Sequence, residues 1–234
     1  MERVAVVLPA LEEMEALRPL VERLTAALDD VSYESCIILV LSTSASDADI
    51  AELRSRGVGA VRRAPTDSFG DALRSGIAQV PGEYEYVIFM DADGSHAPET
   101  IPRLLALGGS ATVVVASRYV SGGSSDNGLI LRAMSRCLNV TYGLVLGIRC
   151  RDVSTNFKLY RHEYLKRISL RCSDFDVVEE ILFKVKKSAG REFTLVEIPD
   201  RFHARASGKT KRRLGPFVVS YIVTLMRLRF RRGD

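Results

Sequence analysis

The sequence predicts an α/β fold: a mostly parallel sheet flanked by helices, closed by a basic amphipathic C-terminal helix. Three observations carry that reading. Strand and helix signals alternate over the first 116 residues, the pattern of a parallel sheet with helical crossovers. The strand candidates are continuous apolar runs rather than alternating ones, as expected where both faces of a sheet are covered. One such run, Tyr86-Val87-Ile88-Phe89-Met90, stops abruptly at Asp91 and Asp93, at the kind of strand end where ligands of open α/β sheets bind.

The elements follow in order. Residues 3–8 read as the first strand, and 12–28 as a helix whose Leu17, Leu20, Val21, Leu24 and Leu28 share one face. Residues 35–41 are a second strand, 47–56 a helix, 58–61 a short strand and 67–79 a helix. After the strand that ends at Asp91, residues 98–107 suit a helix with Pro98 in its first turn, where its missing N–H costs nothing. Residues 111–116 are another buried strand, and the Gly/Ser-rich stretch 119–128 is a loop. Residues 129–146 form a long helix pattern stopped by Gly147; 156–160 is a short strand, 177–188 a helix and 193–198 the last strand. A basic loop over 199–213 leads to a terminal helix over 217–230. With no repeat and no linker composition, the organisation is one domain over 1–213 and an appendage over 214–234.

Composition bounds the function. A chain of 234 residues with 47% hydrophobic and 26% charged residues is an ordinary globular protein. Its N-terminus does not resemble a signal peptide, and no apolar run reaches the roughly 18 residues of a membrane span. Cys36, Cys137, Cys150 and Cys172 have no metal-ligand spacing, which fits buried free thiols in a reducing cytoplasm. The net charge of +4 hides an asymmetry: residues 201–234 carry ten Lys and Arg against the single acid Asp234. A basic tail on an acidic body points to an anionic partner: headgroups, a lipid phosphate or nucleic acid. No helix-turn-helix, zinc-finger or stacking motif supports nucleic acid.

The chemistry is concentrated at Asp91 and Asp93. Buried carboxylates are costly without a cation or donors, and two of them one residue apart can share a hard divalent metal completed by substrate phosphate oxygens. An ordinary solvated turn fits the same spacing.

Taken with its neighbours, the pair resembles a known motif set. Asp91-Ala92-Asp93 with His96-Ala97-Pro98-Glu99 is similar to the "DADxxHxPE" segment of family 2 glycosyltransferases with the Rossmann-like GT-A fold, closest to polyprenol and dolichol phosphate mannose synthases. Gly70-Asp71-Ala72-Leu73-Arg74-Ser75-Gly76 resembles their "GxALxxG" helix. Ala116-Ser117-Arg118-Tyr119 with Gly122-Gly123 is similar to "GSRYxxGG", and Arg151-Asp152-Val153-Ser154-Thr155-Asn156-Phe157-Lys158-Leu159-Tyr160-Arg161 to "RDxTSGFRxYR". Glu197-Ile198-Pro199, Phe202, Arg205, Gly208, Thr210 and Lys211 follow "EVPxxFxxRxxGxSK". The likeness covers about the whole chain.

The resemblance implies an inverting, metal-dependent transferase that moves a sugar from a nucleotide-diphosphate sugar to a polyprenyl phosphate. Asp91, Asp93 and Ser95 would hold Mg²⁺ or Mn²⁺, with Asp93, Arg118 and Arg205 the catalytic set. Donor contacts would come from Pro9, Leu11, Glu13, Ser42, Gly70, Arg74 and the Asp91-Ala92-Asp93 segment. The acceptor phosphate would meet Arg118, Arg132, Arg205 and Lys211, whose charge and, for arginine, planar fork suit phosphate. An anionic acceptor needs no strong general base. A hydroxyl acceptor would need one, and Asp174, Asp176, Glu179 and Glu180 are available, with a helix N-terminal acidic run as the structural alternative. His96 is expected to orient the metal loop, and His203 to lie in a surface loop.

Two departures fall at the nucleobase end. The family's "PTYNE" is here Pro9-Ala10-Leu11-Glu12-Glu13, with Leu11 in place of the aromatic. Its "VDDxSxD" is here Val40-Leu41-Ser42-Thr43-Ser44-Ala45-Ser46-Asp47, with no acid before Asp47. Other readings are transfer to a soluble hydroxyl acceptor and a non-catalytic scaffold. The apolar tail with Arg212, Arg213, Arg227, Arg229, Arg231 and Arg232 suits an interfacial helix, placing the protein in the cytoplasm, peripheral at the membrane face. A core-packing helix or subunit interface suits the same pattern, and the oligomeric state is open.

Overall fold

The computed structural model describes residues 1–11, 14–203 and 214–230. In chain order the elements are β1 (Arg3–Pro9), α1 (Met14–Asp29), β2 (Glu34–Leu41), α2 (Asp47–Ser55), β3 (Gly59–Arg62), α3 (Phe69–Gln79), β4 (Tyr86–Phe89), α4 (Ile101–Leu105), β5 (Val113–Ser117) and β6 (Ser124–Ser125). There follow α5 (Leu129–Leu146), β7 (Lys158–Arg161), α6 (His162–Leu165), α7 (Val177–Ala189), β8 (Leu195–Pro199), β9 (Arg201–Phe202) and α8 (Leu214–Phe230). The main sheet has the order β3-β2-β1-β4-β7-β5-β8. Its neighbours are parallel except β7, which runs antiparallel to both β4 and β5.

Period-two alternation sorts each strand onto two cores. Val4, Val6 and Leu8 of β1 face Leu17, Leu20 and Leu24 of α1 on one side. Ala5 and Val7 face Leu73 of α3, Tyr142 of α5 and Leu182 of α7 on the other. Both faces are covered, which is why the strands read as unbroken apolar runs. The "GxALxxG" stretch is a packing device. A Cβ on Gly76 would sit 2.3 Å from Val7 Cγ1, and one on Gly70 would sit 2.0 Å from the Cys172 carbonyl. Glycine there lets α3 lie directly on the sheet and on the 172–173 backbone.

Several boundaries moved. The helix expected over 98–107 is a 3₁₀ turn at Pro98–Thr100 followed by the short α4, which restarts at the Ile101-Pro102 step. β7 begins at Lys158, because Asn156 and Phe157 are used elsewhere: Asn156 on Asp91, and the Phe157 carbonyl on the Ala116 N–H. The 119–128 loop contributes β6, which pairs with β9. Against the expectation of no spanning run, α5 is long and apolar enough to cross a membrane by length and composition, and most of it is exposed. The four cysteines are free, and Cys137 is exposed rather than buried.

Helix α8 starts at Leu214, three residues earlier than expected, and one side of it is a packing face. Tyr221, Thr224, Leu225 and Leu228 are buried, and the Tyr221 carbonyl accepts from Tyr142 Oη of α5 at 2.7 Å. Val223, Met226, Arg227, Arg229 and Phe230 face outward.

Candidate functional site

The carboxyl ends of β1, β2, β3, β4, β5 and β8 lie along one edge of the sheet, and antiparallel β7 brings its start to the same edge. Asp91 and Asp93 follow β4 there, part-exposed, with Ala92 between them buried. Asn156, just before β7, donates its amide to Asp91 Oδ1 at 3.0 Å. Ser95 is fully buried and donates both its N–H (3.0 Å) and its hydroxyl to Asp93 Oδ1. Two part-exposed carboxylates, each held by a neutral hydrogen-bond donor, have the chemistry for a hard divalent cation that takes its remaining oxygens from phosphate and water. Among the described residues no cluster of three or more His, Cys, Asp or Glu builds a protein-only cage.

His96 lies buried between two acids, Nε2 3.4 Å from Asp91 and Nδ1 3.8 Å from Asp200. Burial lowers its pKa, but the two carboxylates outweigh that and push it up to about 9. Asp200 also accepts from Thr100 Oγ1 at 2.8 Å. The Asp91–His96 segment is thereby tied to the β8–β9 corner. His203, the last described residue ahead of Leu214 and within the loop expected over 199–213, donates its N–H to the Ser95 carbonyl at 2.9 Å.

Arg118 follows β5. Its Nε and Nη2 meet Asp152, at 2.7 and 2.6 Å, and its Nη2 also reaches Ser154 Oγ at 3.0 Å. Asp152 is fully buried and also accepts the Arg118 N–H. Burial of Arg118 opposes its charge, but Asp152 more than compensates and holds the pKa above its ordinary value. Nη1 has no partner among the described residues. Tyr119 lies between guanidinium groups, Arg118 at 5.1 Å and Arg136 at 5.3 Å from its ring centre. Arg132 is half-buried one helical turn before Arg136 on α5, so the two share a face. Arg136 is the member of this cluster that the motif reading left without a role; its spacing of four from Arg132 was the available signal.

A family model described as glycosyl transferase family 2 matches residues 5–169. The chain belongs to that family. It is 29% identical over 97% of its length to a dolichol-phosphate mannosyltransferase of Pyrococcus furiosus, of which it spans 63%. It is 30% identical over 90% of its length to a polyprenol monophosphomannose synthase of Mycolicibacterium smegmatis, spanning 81% of that protein. Glucosyl-3-phosphoglycerate synthase of Mycobacterium tuberculosis, solved with Mn²⁺, UDP and glucosyl-3-phosphoglycerate, superposes with a TM-score of 0.71 at 19% identity. That match covers 100% of this chain and 82% of the other, and shows the GT-A fold.

In this family 2 glycosyltransferase the other expected residues separate into groups. Pro9 and Leu11 bracket the end of β1, Pro9 buried and Leu11 49% exposed. Ser42 follows β2 and donates to Asp67. Gly70 is a packing glycine. Arg74 spends its guanidinium on the Cys172 carbonyl (2.8 Å) and on Asp71 (2.7 Å), bracing α3 against the 170–172 segment. Glu180 accepts the N–H groups of Arg171 and Cys172 and pairs with Lys184, the work of a structural acid. Glu13, Arg205 and Lys211 lie outside the described residues.

Proposed function

We propose that this protein transfers a sugar from a nucleotide-diphosphate donor to a polyprenyl phosphate at a membrane surface, with inversion and in a single displacement. The observation that carries the reading is that the Asp91/Asp93 carboxylates share one sheet edge with Arg118, which Arg136 joins across the Tyr119 ring. Asp91 and Asp93 would hold Mg²⁺ or Mn²⁺, with Ser95 bracing Asp93 or adding a ligand. The metal, when bound, neutralises the diphosphate as it leaves. Arg118 Nη1 and Arg132 receive the acceptor phosphate, joined by Arg205 and Lys211 of the basic loop. That phosphate is already anionic, so positioning and charge neutralisation suffice. The structural engagement of Glu180 removes one of the four acids that a hydroxyl acceptor would call on as a base.

The lipid side of the proposal draws on an apolar surface. Ile130, Val140 and Leu144 of α5 and Val223, Met226 and Phe230 of α8 are exposed on helices that pack together, with Arg136, Arg227 and Arg229 exposed among them. Apolar residues flanked by arginines suit a headgroup interface. On this reading the 214–234 segment works with α5 to seat a peripheral protein on the cytoplasmic face. The test is calorimetry of nucleoside diphosphate binding with and without Mn²⁺. Binding should require metal and disappear in Asp93→Ala; metal-independent binding that survives this substitution would refute the site.

A further inference from the structure

We infer that Asp67, on the loop between β3 and α3, reads the base of the nucleotide donor and selects a pyrimidine dione, the uracil or thymine type. The inference rests on the donor site proposed above and concerns the end of it that the metal does not touch.

The residues that follow β2 contain no acid before Asp47, yet a carboxylate stands at the strand's end. Asp67 reaches across from the next loop. Its Oδ1 accepts the Thr43 N–H at 2.7 Å and the Ser42 hydroxyl at 3.0 Å, and its Oδ2 accepts the Thr43 hydroxyl at 2.9 Å. Beneath it Arg63 is almost wholly buried and clamps the strand ends together. Its guanidinium donates to the carbonyls of Ala10 (2.6 Å), Leu41 (3.2 Å) and Val40 (3.3 Å), and to the Asp67 carbonyl (3.2 Å). The Asp67 side chain is thus fixed at the ends of β1 and β2 while remaining 45% exposed. Bonds from Thr43 and Ser42 keep the carboxyl below its ordinary pKa, so it is an ionised acceptor near neutral pH.

Position assigns this acceptor to the base. β1 separates β2 from β4, so at about 4.8 Å per strand the Asp67 carboxylate lies on the order of 10 Å along the edge from the metal pair. A diphosphate anchored at Asp91 and Asp93 puts the ribose next to it and the base furthest along. Leu11 is exposed at the β1 end and offers the base an apolar surface.

Acceptor count assigns the base type. A carboxylate offers about four lone-pair positions, and protein donors occupy three here, which leaves one on Oδ2. A pyrimidine dione presents one ring N–H between two carbonyls, matching that single position. Guanine presents two adjacent donors and would leave one unpaired. Cytosine turns a ring nitrogen acceptor toward the carboxylate.

The test is calorimetry of UDP, dTDP, GDP and CDP with Mn²⁺ on the full chain and its variants. The wild type should bind UDP or dTDP at least about tenfold tighter than GDP or CDP, the worth of one hydrogen bond to a charged group. Asp67→Asn, which presents an N–H₂ outward, should reverse the order of UDP and CDP. Thr43→Val frees a second position on Oδ2 and should raise GDP affinity while leaving UDP nearly unchanged; it also serves if the Asn variant fails to fold. An unchanged base preference in the folded variants, or an equal loss for all four nucleotides as a ribose contact would give, overturns the assignment to the base. A wild type that prefers GDP or CDP overturns it as well. Absence of any metal-dependent nucleotide binding would instead defeat the donor site itself.

Discussion

The residue that decides most at the site is one the sequence marks only as part of a motif. Asp152 is fully buried and takes three bonds from Arg118: its main-chain N–H, Nε and Nη2. It thereby aims one guanidinium edge outward and keeps the whole group charged. Replacing one partner of such a pair strands the other charge, at a cost of about 3–5 kcal/mol. Asp152→Asn should lower the urea midpoint accordingly and also weaken acceptor use, seen as a raised KM for the lipid phosphate. Unchanged stability with unchanged KM would mean that Arg118 does not depend on Asp152. Asp91, Asp93 and Arg118 were legible as a set from residue type and motif spacing. Asp67 was not, because its role depends on a contact between two loops, Ser42-Thr43 and the β3–α3 turn, that no local pattern encodes.

At the scale of elements, α3 and the α5–α8 pair carry the consequences. α3 is anchored by Asp71. Burial would raise the Asp71 carboxyl, but Thr66, Arg74 and Ser68 outweigh that and hold it down at about 2 from its ordinary 3.8. A pKa depressed by folding gives stability that is present above pH 3.8 and is lost as pH falls through 2. Asp71→Asn should therefore cost about 1–2 kcal/mol at pH 7 and flatten the acid dependence of chemical denaturation between pH 4 and 2. An acid profile identical to wild type would discount the anchor.

The α5–α8 pair is the face proposed to meet the membrane. Because α8 covers Tyr142 and packs Leu225 and Leu228 inward, truncating it would expose core and confuse docking with unfolding. Met226→Gln with Phe230→Gln, or Val140→Gln with Leu144→Gln, changes only exposed side chains. Each pair should reduce flotation with anionic vesicles by about tenfold, since each removes two buried apolar side chains from the interface, and should leave the melting temperature nearly unchanged. Equal flotation would reject this face. Helix α8 was visible in the sequence as an apolar segment with arginines. The buried half of it was not, because only the tertiary partner α5 reveals which side packs.

For the whole molecule, continuous apolar strands alternating with helix patterns were enough to specify a covered, mostly parallel sheet. Strand order was not: β7 inserts antiparallel between β4 and β5, a non-local pairing set by the chain's return after α5 rather than by any property of Lys158–Arg161 alone. That insertion matters for function, since it brings Asn156 to Asp91 and the 152–154 segment to Arg118. On the proposed reading the fold joins a metal-diphosphate end and an arginine-lined acceptor end along one edge, beside an apolar helix pair. The central claim is that these ends cooperate in sugar transfer to a lipid phosphate. It is tested most directly by incubating the full chain with labelled nucleotide sugars, polyprenyl phosphate in vesicles and Mn²⁺, then partitioning the products. Label should enter the organic phase, require the metal and vanish in Asp93→Ala. Label confined to a water-soluble acceptor, or lipid labelling that persists without metal, would contradict the account.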